Sequence, residues 1–162
     1  MNKRILIGCG IGILLLCCIV TITIILVLGN ARVFTPSGVT IEVTAPEVIP
    51  VKKPFGLEIS VRNDGVVDQI LDSVDFSTSY LTGISVLSAT PAYSDDFVIP
   101  IVDFRSYTFE RNIEQFGTLV VKFVMEGQEE GVFEGEIDVC INDGSSCETF
   151  EISTIIGNGS GR

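Results

Sequence analysis

The chain contains no histidine. That absence removes any imidazole base, any triad built on histidine, and the commonest nitrogen ligand for zinc. No serine sits in a Gly-x-Ser-x-Gly elbow. Lysine is scarce: after the first thirty residues only Lys52, Lys53 and Lys122 remain, and none follows a serine at Ser-x-x-Lys spacing. An intramolecular Lys–Asn crosslink would need one of them buried, whereas all three read as exposed. Cysteine is equally sparse, with only Cys140 and Cys147 beyond Cys18. Carboxylate pairs serve glycosidases, but such pairs need a cleft, and a body this small has little material for one. The chain is therefore expected to be no enzyme and to carry no cofactor.

Charge is missing altogether from Ile5 to Leu28. At ~1.5 Å per residue this run reaches ~36 Å as a helix, enough to cross a ~30 Å hydrocarbon layer with tilt. A secretory signal core is shorter, about 7–15 residues, so an uncleaved anchor is expected. Gly29 and Ala31 also fit a cut after Ala31, which would release a secreted chain. Lys3, Arg4 and the amino terminus precede the run and Arg32 alone follows it closely, so the N-terminus is expected in the cytoplasm. All 21 acidic residues lie beyond the run, against eight of the ten Lys and Arg, since Lys3 and Arg4 precede it. An acidic domain does not suit nucleic acid or anionic headgroups. It suits a solvated surface or a basic partner.

The rest of the chain reads as strands. Apolar residues alternate with polar ones in Phe55–Arg62, in Val39, Ile41 and Val43, in Leu119, Val121, Phe123 and Met125, and in Phe133, Gly135, Ile137, Val139 and Ile141. Asn63-Asp64-Gly65, Leu81-Thr82-Gly83, Gly127-Gln128 and Asp143-Gly144 punctuate them. No amphipathic helix stands out. One buried face per strand requires two sheets that cover each other. The expected fold class is all-β, an immunoglobulin-like β-sandwich of about seven to nine antiparallel strands preceded by one transmembrane α-helix. The expected segments are a cytoplasmic 1–4, a membrane helix 5–28, a linker 29–37, the sandwich 38–156 and a loose tail 157–162.

Three stretches carry a family resemblance. LEISVRNDG at Leu57–Gly65 resembles the strand and Asn-x-Gly turn of bacterial immunoglobulin-like surface domains. YLTGISVLSATP at Tyr80–Pro91 and the strands of Phe116–Ile141 resemble the DUF11 and CARDB-like groups of those domains. Gln115-Phe116-Gly117 stands where those groups use a Pro-Gly turn. The resemblance implies a module for display, spacing or adhesion at a cell surface, with no catalytic residues to carry over.

Cys140 and Cys147 bracket an Asp-Gly pair, a favoured centre for a tight hairpin because both residues accept positive φ. A turn at Asp143-Gly144 opposes Cys140 to Cys147 and Glu136 to Glu151, with both thiols on the outer, polar face. Opposed residues lie about 5.5 Å apart at Cα, within reach of a disulfide. Zinc would need about four ligands, and there is no histidine and no other cysteine outside the apolar run. A redox centre more often shows Cys-x-x-Cys at a helix start. A structural bridge is expected, contributing about 2–3 kcal/mol and implying an oxidising compartment.

Cys9, Cys17 and Cys18 read as small apolar residues of the anchor, and Cys9 is a weak palmitoylation candidate. Gly8 and Gly12 form a Gly-x-x-x-Gly pair through which two anchor helices could dimerise. Asp95, Asp96 and Asp103, and Glu126, Glu129 and Glu130, form acidic clusters without calcium-loop spacing, so solvated loop charge is expected. Asn158-Gly-Ser160 is a glycosylation sequon. Taken together, the residues predict a single-pass cell-membrane protein whose C-terminal domain binds or spaces unknown protein or surface partners. The alternative is an accessory subunit that assembles through its helix.

Overall fold

The computed structural model describes residues 38–144 and 146–157. The expected segments 1–4, 5–28 and 29–37, with Gly8, Gly12 and Ala31, lie outside the described residues, as does the tail beyond Gly157. Among the described residues no helix is long and apolar enough to cross a membrane.

The described chain is all-β. In order it forms β1 (Val39–Thr44), β2 (Val48–Ile49), β3 (Pro54–Asn63), β4 (Gln69–Ser77), β5 (Ile84–Thr90), β6 (Asp95–Ile99), β7 (Phe104–Ile113), β8 (Thr118–Gly127), β9 (Gly131–Ile141) and β10 (Ser146–Ile156). One 3₁₀ turn, Tyr80–Thr82, joins β4 to β5. Four strands make one sheet in the order β1-β3-β8-β5, and six make the other in the order β2-β10-β9-β4-β7-β6.

Two details depart from the expected seven to nine antiparallel strands. Ten strands are present among the described residues. In addition, β2 runs parallel to β10 while the other ladders are antiparallel. The two-residue β2 is held by backbone bonds from Ile155 N to Glu47 O (2.8 Å) and from Gly157 N to Ile49 O (2.9 Å). Its flanking prolines, Pro46 and Pro50, lack N–H donors and keep it short.

Alternation places the expected faces inward. Leu57, Ile59 and Val61 of β3 are fully buried, as are Val121, Phe123 and Met125 of β8 and Ile137, Val139 and Ile141 of β9. Each such side chain contributes roughly 1.5–3 kcal/mol of hydrophobic burial. At the centre, Phe123 meets Phe76, Tyr107 and Phe109 edge-on, with ring centroids 5.1, 5.6 and 5.8 Å away. Edge-to-face packing suits the quadrupoles of the rings. In β4 the ladder shifts register between Leu71 and Ser73, so Leu71, Val74 and Phe76 all reach the core despite an odd spacing. The extra residue at this bulge breaks the period of two.

The loops at one end of the sandwich are gathered by Asn63. Its side chain is fully buried. Nδ2 donates toward the carbonyls of Val67 (2.8 Å), Ile113 (3.1 Å) and Glu114 (3.1 Å), and Oδ1 accepts from Gly65 N (2.9 Å). The chain enters β1 here, where Asp64 N donates to Gly38 O at 2.8 Å. At the opposite end, the Tyr80 hydroxyl shares a buried 2.9 Å hydrogen bond with Thr154 Oγ1. The turn of Tyr80 presses on β9, where a Cβ on Gly135 would lie 2.0 Å from Ser77 Oγ and 2.8 Å from Tyr80 Cβ. Close approach is thus what requires glycine at 135.

Candidate functional site

The hairpin β9–β10 has the register that the Asp-Gly pair predicts. Ile141 faces Ser146, Cys140 faces Cys147 and Glu136 faces Glu151. Asn142, Asp143 and Gly144 all take positive φ, at 54°, 62° and 63°. Asn142 leaves the ladder to bind β4: its N donates to Ile70 O (2.9 Å), and its Oδ1 accepts from Ile70 N (3.0 Å). Cys140 and Cys147 form a disulfide, with Cα atoms 4.0 Å apart. That separation is nearer the ~4.5 Å of a non-hydrogen-bonded pair than the expected ~5.5 Å of a hydrogen-bonded one.

The bridge lies on the outer face, with one cysteine covered and the other partly open to solvent. Cys140 is only 3% exposed, and Cys147 is half-buried. Cys140 sits in a central strand beside Ser73 of β4, and its Sγ is 3.8 Å from Asp75 Oδ2. Asp75 belongs to a cross-strand row with Ser106 on β7 and Asp138 on β9. Burial pushes the Asp75 carboxyl above the ordinary aspartate range; the hydroxyls of Ser106 and Ser73 moderate the shift, and the Asp138 charge adds to it. Asp75 Oδ1 has no hydrogen-bond partner among the described residues. Next along the row, Thr149 Oγ1 donates to Asp138 Oδ1 at 2.6 Å. The carboxylates of Asp75 and Asp138 and the hydroxyls of Ser73, Ser106 and Thr149 make a polar seam across β4, β7, β9 and β10. Among the described residues no three His, Cys, Asp or Glu side chains gather as metal ligands.

Near the other end of β9, Glu134, Glu136 and Glu151 border an open dish of about 680 Å³ whose floor includes Ser77, Gly135 and Ser153. There Ser77 Oγ accepts from Glu136 N at 2.9 Å and from Ser79 Oγ at 3.2 Å.

A second concavity lies along one side of the sandwich. There β5 ends one sheet and β6 ends the other. The groove between them, about 430 Å³, is lined by Leu81, Ile84, Val86, Tyr93, Val98 and Tyr107, with Asp96 and Arg105 at its rim. Arg105 donates from both Nε (2.9 Å) and Nη2 to Asp96 Oδ2, and its guanidinium lies 5.8 Å from the Tyr107 ring centroid. Donation to the Asp96 carboxylate holds Arg105 firmly protonated. Burial pushes the Tyr107 phenol up to about 12, so it stays a neutral wall. The cis peptide Thr90–Pro91 carries the chain from one edge to the other.

Of the acidic clusters read from sequence, Asp96 is therefore a strand residue paired with a cation, while Asp95 is exposed. The exposed lysines are engaged at the surface: Lys122 with Glu58 at 2.9 Å, and Lys52 with Gln128. The groove was not legible in advance, because its walls come from loops and strands that meet only in three dimensions. The one signal was apolar residues among charges in Asp95–Phe104.

No protein-family model matches the chain, and no curated protein does so. Solved structures with a similar backbone do exist. AvmM, described as catalysing macrocyclization in alchivemycin A biosynthesis, has a TM-score of 0.50 at 9% identity, covering 79% of this chain and 93% of that one. The CARDB domain of PF1109 from Pyrococcus furiosus has a TM-score of 0.44 at 12% identity, covering 74% and 94%. The two-sheet, almost wholly antiparallel architecture is that of an immunoglobulin-like β-sandwich. The cupredoxin domain of amoB from Nitrosocaldus yellowstonii has a TM-score of 0.49 at 9% identity, covering 77% and 90%. Identities this low speak to fold alone. What this sandwich does must therefore be read from its own side chains.

Proposed function

We propose that the protein is a non-enzymatic, single-pass membrane protein that holds an acidic CARDB-like sandwich outside the cytoplasm to bind other molecules. The Cys140–Cys147 bridge carries this reading. Such a bridge persists where thiols oxidise, and in this chain it follows an apolar run long enough to anchor it. The binding face is the groove between β5 and β6, where two sheet edges leave backbone N–H and C=O groups unpaired on their outer sides. Its occupant is an extended, basic segment of another protein. An added strand would use those edges, its apolar side chains would meet Tyr93 and Val86, and its cations would meet a domain of strongly negative charge.

Protease treatment of intact spheroplasts tests the topology. Digestion of the sandwich, with the N-terminal fragment left in the membrane and both thiols at 140 and 147 resistant to alkylation, supports the reading. A domain protected until lysis, with both thiols free, defeats it. Substituting Val86→Arg at the groove then separates binding from topology, since it should abolish partner crosslinking while leaving the chain in the membrane.

A further inference from the structure

Three large apolar side chains stand in water at the end where β1 begins. Val66 is 75% exposed, Val67 61% and Phe116 66%. They sit on two separate loops, 64–68 and 114–117, which Asn63 ties together through Val67 O and Glu114 O. A third tie runs from Gln115 N to Asp68 Oδ1 at 3.0 Å. Phe116 has φ of 59°, a conformation that is rare for a bulky side chain. It occupies the third position of a turn closed by Gly117 N to Glu114 O (2.8 Å), where glycine or asparagine is preferred. An aromatic residue held there, against its backbone preference and out of the core, is displayed and not packed.

The position of these loops says what they face. Gly38 touches the first loop directly: its carbonyl accepts from Asp64 N, and its own Cβ position lies 3.7 Å from Gly65 Cα. Only nine residues separate Gly38 from Leu28, the end of the apolar run, a reach of at most ~30 Å. Charge near the loops is largely answered internally. Asp64 pairs with Arg62 at 2.8 Å and accepts from Thr40 Oγ1 at 2.6 Å, and Asp68 accepts from Gln115 N. The net sign is still negative, which excludes an anionic surface and suits zwitterionic headgroups.

We propose that Val66, Val67 and Phe116 form an apolar rim that rests in the interfacial layer of a zwitterionic bilayer, the membrane from which the chain emerges. The proposal rests on the anchored reading given above. The rim fixes the sandwich against the membrane and turns the opposite end, with Ile101 at 96% exposure, away from it. Aromatic and aliphatic side chains on loop tips suit the headgroup boundary, where one side is apolar and the other wet.

The chain has no tryptophan, so one introduced indole reports its own surroundings. Phe116→Trp, Val66→Trp and Ile101→Trp are each made in the full chain and reconstituted in phosphatidylcholine vesicles. Flotation shows whether the chain is anchored, and brominated phosphatidylcholine shows whether the indole meets lipid. The expected result is a blue-shifted emission that brominated lipid quenches at 116 and 66, with water-like, unquenched emission at 101. Floating vesicles with water-like emission at all three sites overturn the rim and leave the anchor standing. A blue shift at 116 and 66 without quenching means that protein covers the residues, which also overturns it. A chain that fails to float removes the anchor and the rim together.

Discussion

Replacing Asn63 with alanine should cost the sandwich about 3–5 kcal/mol. The two hydrogens of its amide serve three carbonyls, those of Val67, Ile113 and Glu114, and its Oδ1 takes the Gly65 N–H. Those are three independent hydrogen bonds, each worth ~1 kcal/mol net. Alanine cannot replace them, and the site is fully buried, so water reaches the stranded carbonyls only if the loops open. Leaving such groups unmet adds ~1 kcal/mol or more. The sum is a large share of the 5–15 kcal/mol typical of a domain. Guanidinium unfolding of the full chain in mild detergent, followed by far-UV circular dichroism, measures it. The midpoint should fall with little change in slope. Asn63→Asp gives a sharper check. A carboxylate there faces carbonyl oxygens with no hydrogen to donate, so its folded pKa is raised, and its deficit should shrink as pH falls through that raised value. A loss below about 1 kcal/mol for the alanine variant, together with a flat pH response for the aspartate, would show that Asn63 is a bystander and not a clamp.

Removing the bridge with Cys140→Ala and Cys147→Ala should cost about 2.5 kcal/mol by loop entropy over a sequence separation of seven, read from the same unfolding curves. Asp75→Asn should raise stability at neutral pH by ~1 kcal/mol, because a neutral amide is cheaper to bury than a carboxylate. The native chain should be most stable in acid with respect to this group. That advantage is lost as pH rises from the ordinary aspartate value through the raised folded one, and the asparagine variant should lack the dependence. If the alternative assembly through the anchor operates, Gly8→Leu with Gly12→Leu should abolish crosslinked dimers in membranes, and unchanged dimers would refute it.

The hairpin β9–β10 was readable because two signals agree on it, the Asp-Gly turn and the alternation on both strands. The strands β1, β3 and β8 were readable for the second reason alone. By contrast, β4 is buried on both faces over much of its length and carries a bulge at Asp72, so Leu71 and Val74 fall out of step. The pair Val48-Ile49 is too short for any period to register. Asp95-Asp96 reads as loop charge because the partner that accommodates it, Arg105, lies on the following strand. Asn63 reads as a turn residue, and its bonds to carbonyls some fifty positions away leave no local trace. The exposed valines and Phe116 look like ordinary loop residues until the fold places them beside Gly38.

The direction of the first and last strands also has a mechanical meaning. β1 starts at the Asn63 end, and β10, which starts beside Ile141 at that same end, finishes at the other, clamped between β9 and the parallel β2. Tension applied between Gly38 and Gly157 therefore pulls each terminal strand along its own axis. Every hydrogen bond of the ladder then resists at once instead of parting one after another. A load carried from one end of the described chain to the other would meet this sandwich in its stiffest direction.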